Sequence, residues 1–447
     1  MESTIAAIAT APGMGAVGLI RVSGPEAFPL VSQCLRNGRD CGSFTERLAT
    51  LTKIVDPAGS TIDEVLATCF HGPRSYTGEN TIELACHRGV LVMRRVLQRL
   101  LDVGILPAGA GEFSQRAFLN GKMDLTQAEA VMDLISAQTE LAMRAAHEQL
   151  QGTLGDQAEM VRQEILAIAA HVEAYIDFPE EDIDTDTGAA LAQRIKVCSQ
   201  SISKLLKTAE QGRILREGVR TVIFGSPNAG KSSLLNKLLG YERAIVSELE
   251  GTTRDTVEEV LNLDGIPVRL IDTAGMRETA DLIEKQGVER TRSQVETADL
   301  ILEVVDGSQP RTHHLTDEQI DGRHHILVIN KTDLTIHEDW QDTDGVMISC
   351  ADGVGLDGLV KKIAKELSMG ASEWGGHAVA INARHQSCLK RAEYSLLAAI
   401  GTLDSGQGAE FIAMDLRDAM QAIGEIAGRI DTEELLGEIF SSFCIGK

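Results

Sequence analysis

Short motifs follow one another in a fixed order between Gly225 and Ala351: Gly225-Ser-Pro-Asn-Ala-Gly-Lys-Ser-Ser233, Gly251-Thr-Thr-Arg-Asp255, Asp272-Thr-Ala-Gly275, Asn330-Lys-Thr-Asp333 and Ser349-Cys-Ala351. The first constrains the fold most. Its glycines let backbone N–H groups curl around anionic oxygens that a Cβ would block. The apolar run Thr221–Phe224 ahead of it reads as a strand, and Ser233–Leu239 behind it reads as a helix. A chance glycine turn would not carry the later motifs in series, so this stretch is expected to fold as an α/β domain around a phosphate-binding loop.

Each later motif adds chemistry to that loop. Asn228, Ala229, Gly230, Lys231, Ser232 and Ser233 form the cradle, with Lys231 suited to the β- and γ-phosphates and Ser232 to a Mg²⁺ ion. Asp272, Thr273, Ala274 and Gly275 follow the apolar run Val268–Ile271, which puts the carboxylate at a strand end near the metal and the Gly275 N–H near the γ-phosphate. Asn330, Lys331, Thr332 and Asp333 follow the strand candidate Ile326–Ile329. The Asp333 carboxylate can accept two hydrogen bonds from a guanine edge that adenine cannot supply, and a site built on such bonds discriminates by ~10⁴ or more. Ser349, Cys350 and Ala351 are small residues suited to closing over the base through backbone N–H groups. In series, the motifs point to GTP binding and hydrolysis and away from an ATPase or kinase.

Assistance to hydrolysis is less direct. Many switch GTPases place a water-orienting Gln after the Asp-Thr-Ala-Gly glycine, but Met276 stands there, and a thioether cannot do that work. Candidates for positioning water are Arg277, Glu278 and Glu284, although a Glu at a helix start is by composition more often a solvated residue. Asn228 offers a neutral, hard oxygen near the phosphates. With carbonyls from Ser247 to Thr252 it would hold K⁺ where other systems insert an arginine, a contribution worth roughly 10³ to 10⁵ in rate. The alternative is that Asn228 only shapes the turn.

These elements, with Gly18-Leu-Ile-Arg-Val-Ser-Gly24, Ser75-Tyr-Thr-Gly-Glu79, Gly111-Glu-Phe-Ser-Gln-Arg-Ala-Phe-Leu-Asn120, Asp177-Phe-Pro-Glu180 and the C-terminal Phe443-Cys-Ile-Gly-Lys447, resemble the MnmE/TrmE family of bacterial tRNA-modification GTPases over the length of the chain. The resemblance implies a K⁺-activated GTPase. With the FAD- and NADH-dependent partner MnmG, in a heterotetramer-type complex, it would place an aminomethyl or carboxymethylaminomethyl group on C5 of the wobble uridine of certain tRNAs. The one-carbon unit would come from 5-formyl-tetrahydrofolate or a related tetrahydrofolate. By the same resemblance Asn228, Ser247, Leu249 and Thr252 match K⁺ ligands, Ser232 and Thr253 match Mg²⁺ ligands, and Glu284 matches the carboxylate that orients water through a second water. Ser247, Glu248, Leu249, Glu250, Gly251, Thr252 and Thr253 thereby join the nucleotide site, and Asn228, Lys231 and Glu284 become its catalytic residues. Arg21, Glu83, Lys122 and Lys447 match the folate contacts, and Cys444 matches a cysteine beside that pocket. A homodimer through the N-terminal domain is also implied.

The folate residues have a physical logic: a carboxylate can grip the donor edge of a pterin, and Arg and Lys attract its glutamate tail. Without the resemblance, one Glu, one Arg and one Lys would carry little. Cys444 reads either as a reactive thiol or as a small packed residue. Departures from the family pattern are mild: Cys350 stands in place of the usual Ala and Ser226 where Arg is common.

The remaining sequence sets the frame. At 447 residues the chain suggests two to four domains of ~100 to 200 residues each. Only 4% of residues are aromatic against 43% hydrophobic overall, so the cores must be aliphatic. No run approaches the ~18 apolar residues of a membrane span, and Met1-Glu-Ser-Thr4 lacks the positive start of a secretory signal, so a cytoplasmic protein without membrane partners is expected. The 8 cysteines show no C-x-x-C pairing, which suits reduced thiols; Cys69 with His71 and Cys86 with His87 have no recognisable metal spacing. A net charge of −24 repels nucleic acid in bulk, so a tRNA partner needs a local basic surface, for which Arg88, Arg94, Arg95 and Arg99 are one candidate and a solvated helix face the other reading. Gly13–Gly18 fits the dinucleotide fingerprint formally, but a strand-like run follows it where a helix is required. Asp182–Asp186 resembles a calcium loop, yet Thr187 and Gln193 occupy its Gly and Glu positions.

Periodicity divides the chain into an N-terminal α+β domain (1–118, folate-binding and dimerising by resemblance), a first helical part (119–215), a Ras-like P-loop GTPase domain (216–370) and a second helical part (371–447). The GTPase domain is thus inserted into a helical domain, a layout suited to a lever. The expected fold class is multidomain, α/β with all-α. Two other functions stay open: a ribosome-assembly GTPase without covalent chemistry, and a folate-dependent one-carbon enzyme in which GTP only regulates.

Overall fold

The computed structural model describes residues 3–177, 188–241, 259–263, 265–271, 295, 297–311, 320, 322–367, 381–429, 433–441 and 443–446. Contacts group the chain into two units, Met1–Met132 with Gly424–Lys447, and Asp133–Ile423.

In the first unit, alternation builds a sheet. Strands β1 (Ile5–Ile8), β2 (Val17–Ser23), β3 (Thr50–Val55), β4 (Thr61–Phe70), β5 (Thr81–His87) and β6 (Leu106–Pro107) lie in the order β3-β4-β5-β2-β1-β6, antiparallel except for the β1–β6 pair. On β4, Val65, Ala67 and Cys69 are buried while Glu64 and Leu66 are exposed, the period of two expected of a half-covered sheet. The helix Val90–Asp102 closes the buried face with Met93, Val96 and Leu100. The other face carries an apolar row, Leu51, Leu66, Ala85 and Leu19, whose members are register partners from strand to strand. The C-terminal segment belongs to this unit: Leu436, Phe440 and Phe443 pack with Leu125 and Ala128, and Ile445 pairs with Ala110. Gly13–Gly18 runs into β2, a strand, which disposes of the dinucleotide fingerprint.

In the second unit the helices Glu140–Leu150, Thr153–Asp177, Gly188–Lys207 and Ala209–Glu217 precede a second sheet, and Ala383–Asp404 and Ala409–Ile426 follow it. Gly188–Lys207 packs on Ala383–Asp404, so the α/β segment is inserted between helices that meet. Strands β7 (Val219–Phe224), β8 (Glu259–Leu263), β9 (Ile266–Leu270), β10 (Leu300–Asp306), β11 (His324–Asn330) and β12 (Val346–Met347) take the order β12-β11-β10-β7-β9-β8, and all pair in parallel except β8. β10 is buried from Leu300 to Val305, as a strand covered on both faces must be. The helices Lys231–Tyr241 and Leu356–Glu366 add Leu234, Leu235, Leu238, Leu359 and Ile363 to an aliphatic core.

The C-terminal helical stretch is interrupted between Asp404 and Ala409, inside the glycine-bearing segment 401–408, while Ala383–Asp404 runs through Gly401 because one glycine costs only about 1 kcal/mol against a long packed face. Ile135 is 40% exposed near its helix end at Ser136, while Leu125 and Ala128 of the same helix are buried. The arginine group is no free basic stripe. Arg88 donates to the carbonyls of Ala11 and Pro12, and Arg99 to those of Val55 and Gln33, which leaves Arg94 and Arg95 as its exposed pair. His87 pairs with Asp63 at 2.7 Å, and the acidic stretch Asp182–Asp186 lies outside the described residues. Among the described residues no helix is long and apolar enough to cross a membrane.

One polar cluster fastens the sheet to the preceding helix. Asp299, just before β10, accepts from the Arg220 amide at 2.9 Å, from Arg220 Nη2 at 3.0 Å, and pairs with Arg213 Nη2 at 3.1 Å. Burial alone would raise its carboxyl, but the arginine bonds outweigh burial and hold it below the usual carboxylate range. Asp299→Ala is therefore expected to lower the unfolding free energy by about 2 kcal/mol near neutral pH. A carboxyl held low in the folded state stabilises above its unfolded pKa, and that contribution is lost as pH falls through the folded value. Urea unfolding of the wild type and variant should show a midpoint difference that shrinks in acid.

Candidate nucleotide site

The site forms where β7, β10 and β11 end side by side. The chain leaves β7 through Gly225, at φ 148°, where a Cβ would sit 2.0 Å from the Val304 carbonyl of β10. It then passes Asn228 at φ 62° and Gly230 at φ 103° before entering the helix Lys231–Tyr241. Glycine supplies such conformations without steric cost, and asparagine is one of the few other residues that tolerates the left-handed region. At Gly230 a Cβ would meet Asn330 Nδ2 at 2.0 Å, so this position admits nothing larger.

Asn330, 2% exposed at the end of β11, explains that closeness. Its Nδ2 donates to the Ala229 carbonyl at 2.8 Å, and its Oδ1 accepts from the Cys350 amide at 3.1 Å. One carboxamide thus ties the phosphate loop, the loop after β11 and the Ser349–Ala351 turn. Of the three amides in Ser349–Ala351, that of Cys350 is already committed to Asn330. Burial pushes the Cys350 thiol up, so this cysteine is an inert small residue here.

Around that knot lies a cleft of about 510 Å³ lined by Asn228, Gly230, Lys231, Ser232, Ser233, Asn330, Lys331, Asp333, Cys350 and Ala351. Lys231 Nζ donates to the Gly225 and Ser226 carbonyls, both at 2.8 Å, which holds a positive charge at the loop's mouth; burial lowers its pKa. Asp333 accepts from Ser349 Oγ at 2.8 Å, and Ser349, 1% exposed, accepts in turn from the Asp352 amide at 3.2 Å. The carboxylate is therefore aimed before any base arrives. Ala229, Thr332 and Ser349 support the cleft without lining it, Thr332 by donating its amide to the Ile348 carbonyl at 3.2 Å. A feature the motifs did not announce is Asp306, whose Oδ2 lies 2.6 Å from Lys331 Nζ. The Asp306-Gly-Ser308 turn after an apolar strand was the available signal.

Ser247, Glu248, Leu249, Glu250, Gly251, Thr252, Thr253, Asp272, Thr273, Ala274, Gly275, Met276, Arg277, Glu278, Glu284 and Lys447 lie outside the described residues.

In the first unit Arg21 and Glu83 are direct register partners on β2 and β5, and Arg21 donates from Nη2 and Nε to Glu83 Oε1 at 2.8 and 3.0 Å. The guanidinium lies over the Tyr76 and Phe113 rings at 5.0 and 5.7 Å. Lys122 donates to the Pro73 carbonyl at 3.0 Å. Cys444 is the exposed cysteine, the other seven being buried.

The family model described as the GTP-binding protein TrmE N-terminus matches residues 4–122, and the one described as the MnmE helical domain matches residues 125–444. A protein of Akkermansia muciniphila named tRNA modification GTPase MnmE is 50% identical over 451 residues, covering 100% of this chain and 99% of that protein. One of the same name from Geobacter sulfurreducens is 43% identical over 455 residues, covering 100% of both. Among solved structures the FeoB G-domain of Methanococcus jannaschii aligns with 34% of this chain and 98% of its own at 23% identity and a TM-score of 0.25, too slight a likeness to bear on function.

Gly230→Ala is expected to displace Asn330 and with it two loop attachments, raising the dissociation constant for guanine nucleotides roughly a hundredfold or more, since buried polar groups are then left unpaired. Titration with a fluorescent GDP checks this.

Proposed function

The chain belongs to the MnmE family of tRNA modification GTPases, and on that premise we propose that it hydrolyses GTP to drive the modification of tRNA. The observation that carries the reading is the Asp333 carboxylate, aimed by Ser349 into a cleft that Asn330 closes onto the phosphate loop. A fixed acceptor pair selects a guanine edge, and Lys231 beside it neutralises phosphate charge. Magnesium, when bound, would be held by Ser232 with Thr253 and would offset charge on the phosphates. In this reading Asn228 and Lys231 are catalytic, with Glu284 orienting the attacking water. Asp272–Gly275 senses the γ-phosphate.

Hydrolysis is K⁺-dependent in this proposal. Asn228 lines the cleft beside Lys231, which supports its carboxamide as a ligand of the ion; Ser247, Leu249 and Thr252 would complete the set. The four-part division of the chain, with GTPase residues 216–370 inserted between helical parts, lets nucleotide-driven movement reach the helices.

The finer chemistry belongs to the same proposal: C5 of the wobble uridine as target, MnmG as flavin-dependent partner, a cytoplasmic homodimer, and a tetrahydrofolate as one-carbon donor. Arg21 and Glu83 fit a folate in kind, a carboxylate and a cation flanked by aromatic rings, with Lys122 and Lys447 as further cations for its acidic tail. Bound there, the folate would supply the one-carbon unit. As folded, Glu83 is neutralised by Arg21, so a pterin would have to share that carboxylate. The apolar row beside this pair, with Leu51 59% and Leu66 44% exposed, supports a homodimer through the same sheet face.

Turnover measured in KCl and in NaCl at equal ionic strength is expected to be at least ~10-fold faster in KCl, and Asn228→Ala is expected to erase the difference, within the roughly 10³ to 10⁵ ceiling known for cationic assistance. In a deletion strain, wobble-uridine modification should disappear and return with the wild-type chain but not with Asn228→Ala. Full modification in the deletion strain would instead favour a ribosome-assembly switch.

A further inference from the structure

We propose that Asp306 is a positioning residue for the base end of the cleft: by fixing Lys331 it sets guanine-nucleotide affinity and leaves the rate of hydrolysis alone. The proposal rests on the reading of the cleft as a GTP site and deepens it. Asp306 ends β10 directly opposite Asn330, its register partner. Both of its carboxylate oxygens are engaged. Oδ2 meets Lys331 Nζ at 2.6 Å, and Oδ1 accepts from the Ser308 amide at 3.0 Å and the Ser308 hydroxyl at 2.7 Å. The neighbouring backbone is tied across the same gap, with the Gly307 amide donating to the Asn330 carbonyl at 2.8 Å. A Cβ at Gly307 would press that carbonyl at 2.9 Å, so the two loops touch.

Lys331 needs such fixing. It lies at φ 65°, a conformation that non-glycine residues hold only where their surroundings over-determine it, and it lines the cleft together with Asp333. A lysine stem has four rotatable carbons and loses much rotamer freedom when a ligand immobilises it. Here the ion pair has already immobilised it. The pair is partly sheltered, at 32% exposure for the lysine side chain and 17% for the aspartate. Burial would raise the Asp306 carboxyl, but Lys331 and Ser308 together outweigh burial and keep it below the usual range. An ordinary exposed ion pair would contribute almost nothing, so a measurable loss of affinity separates the two cases.

The test uses the full chain and a fluorescent GDP, with kcat read at saturating GTP in KCl. Asp306→Asn, which keeps an acceptor for Ser308, and Asp306→Ala are each expected to raise the dissociation constant about tenfold through faster release, with kcat within about twofold of wild type. The double variant Asp306→Ala with Lys331→Ala should bind no worse than Lys331→Ala alone, since two residues acting through one contact are not additive. Unchanged affinity in Asp306→Asn, additive losses in the double variant, or a fall in kcat at unchanged affinity would each overturn the proposal. If the wild-type chain itself failed to bind the GDP, the reading of the cleft would fall first and this one with it.

Discussion

The nucleotide site depends on one buried carboxamide. Asn330 can bond simultaneously to Ala229 and Cys350 because an amide side chain carries a donor and an acceptor on one rigid plane, which no carboxylate or ammonium offers. Its burial makes those bonds obligatory, since an unpaired amide there would cost about 1 to 3 kcal/mol. From this follow the glycine at 230, the closeness of the phosphate loop to β11, and the path of the Ser349–Ala351 turn. Asp333, three residues on, inherits a fixed position from the same knot and is trimmed by Ser349.

The sheet beneath supplies the rigidity that the knot needs. β7, β10 and β11 are parallel neighbours, so their carboxyl ends converge and the loops that leave them share one edge. At the other end Asp299 fastens the start of β10 to Arg220 and to Arg213 of the helix Ala209–Glu217. β10 thus joins the site's edge of the sheet to a helix, and the helices before and after the sheet pack on one another.

Much of this was legible locally. Strand, glycine loop and helix around Gly225–Lys231, the strand before Asn330 and the helix at Val90–Asp102 all follow from periods and turn residues that a window of the sequence contains. Asp333 stood out from its chemistry alone, and the structure sets it in the cleft against Ser349. What was not legible is pairing at a distance. Asn330 meets Ala229 across 101 positions, and Arg21 meets Glu83 across 62, because strand order and register bring them together. The same holds for Arg99, which as a sequence feature resembles a surface charge and in the fold serves two backbone carbonyls. Asp306 lacks a motif of its own, and its meaning comes only from standing opposite Asn330.

The most direct measurement of the central claim, that an aimed carboxylate selects the guanine edge, is the relative affinity of Asp333→Asn for GTP and for XTP. Asparagine presents a donor where aspartate presents only acceptors, and xanthine carries an oxygen where guanine carries its amino group. The wild type should prefer GTP by ~10⁴ or more, and Asp333→Asn should lose that preference and bind XTP the more tightly. An Asp333→Asn chain that still bound GTP as tightly and as selectively as the wild type would contradict a base-reading role for this carboxylate.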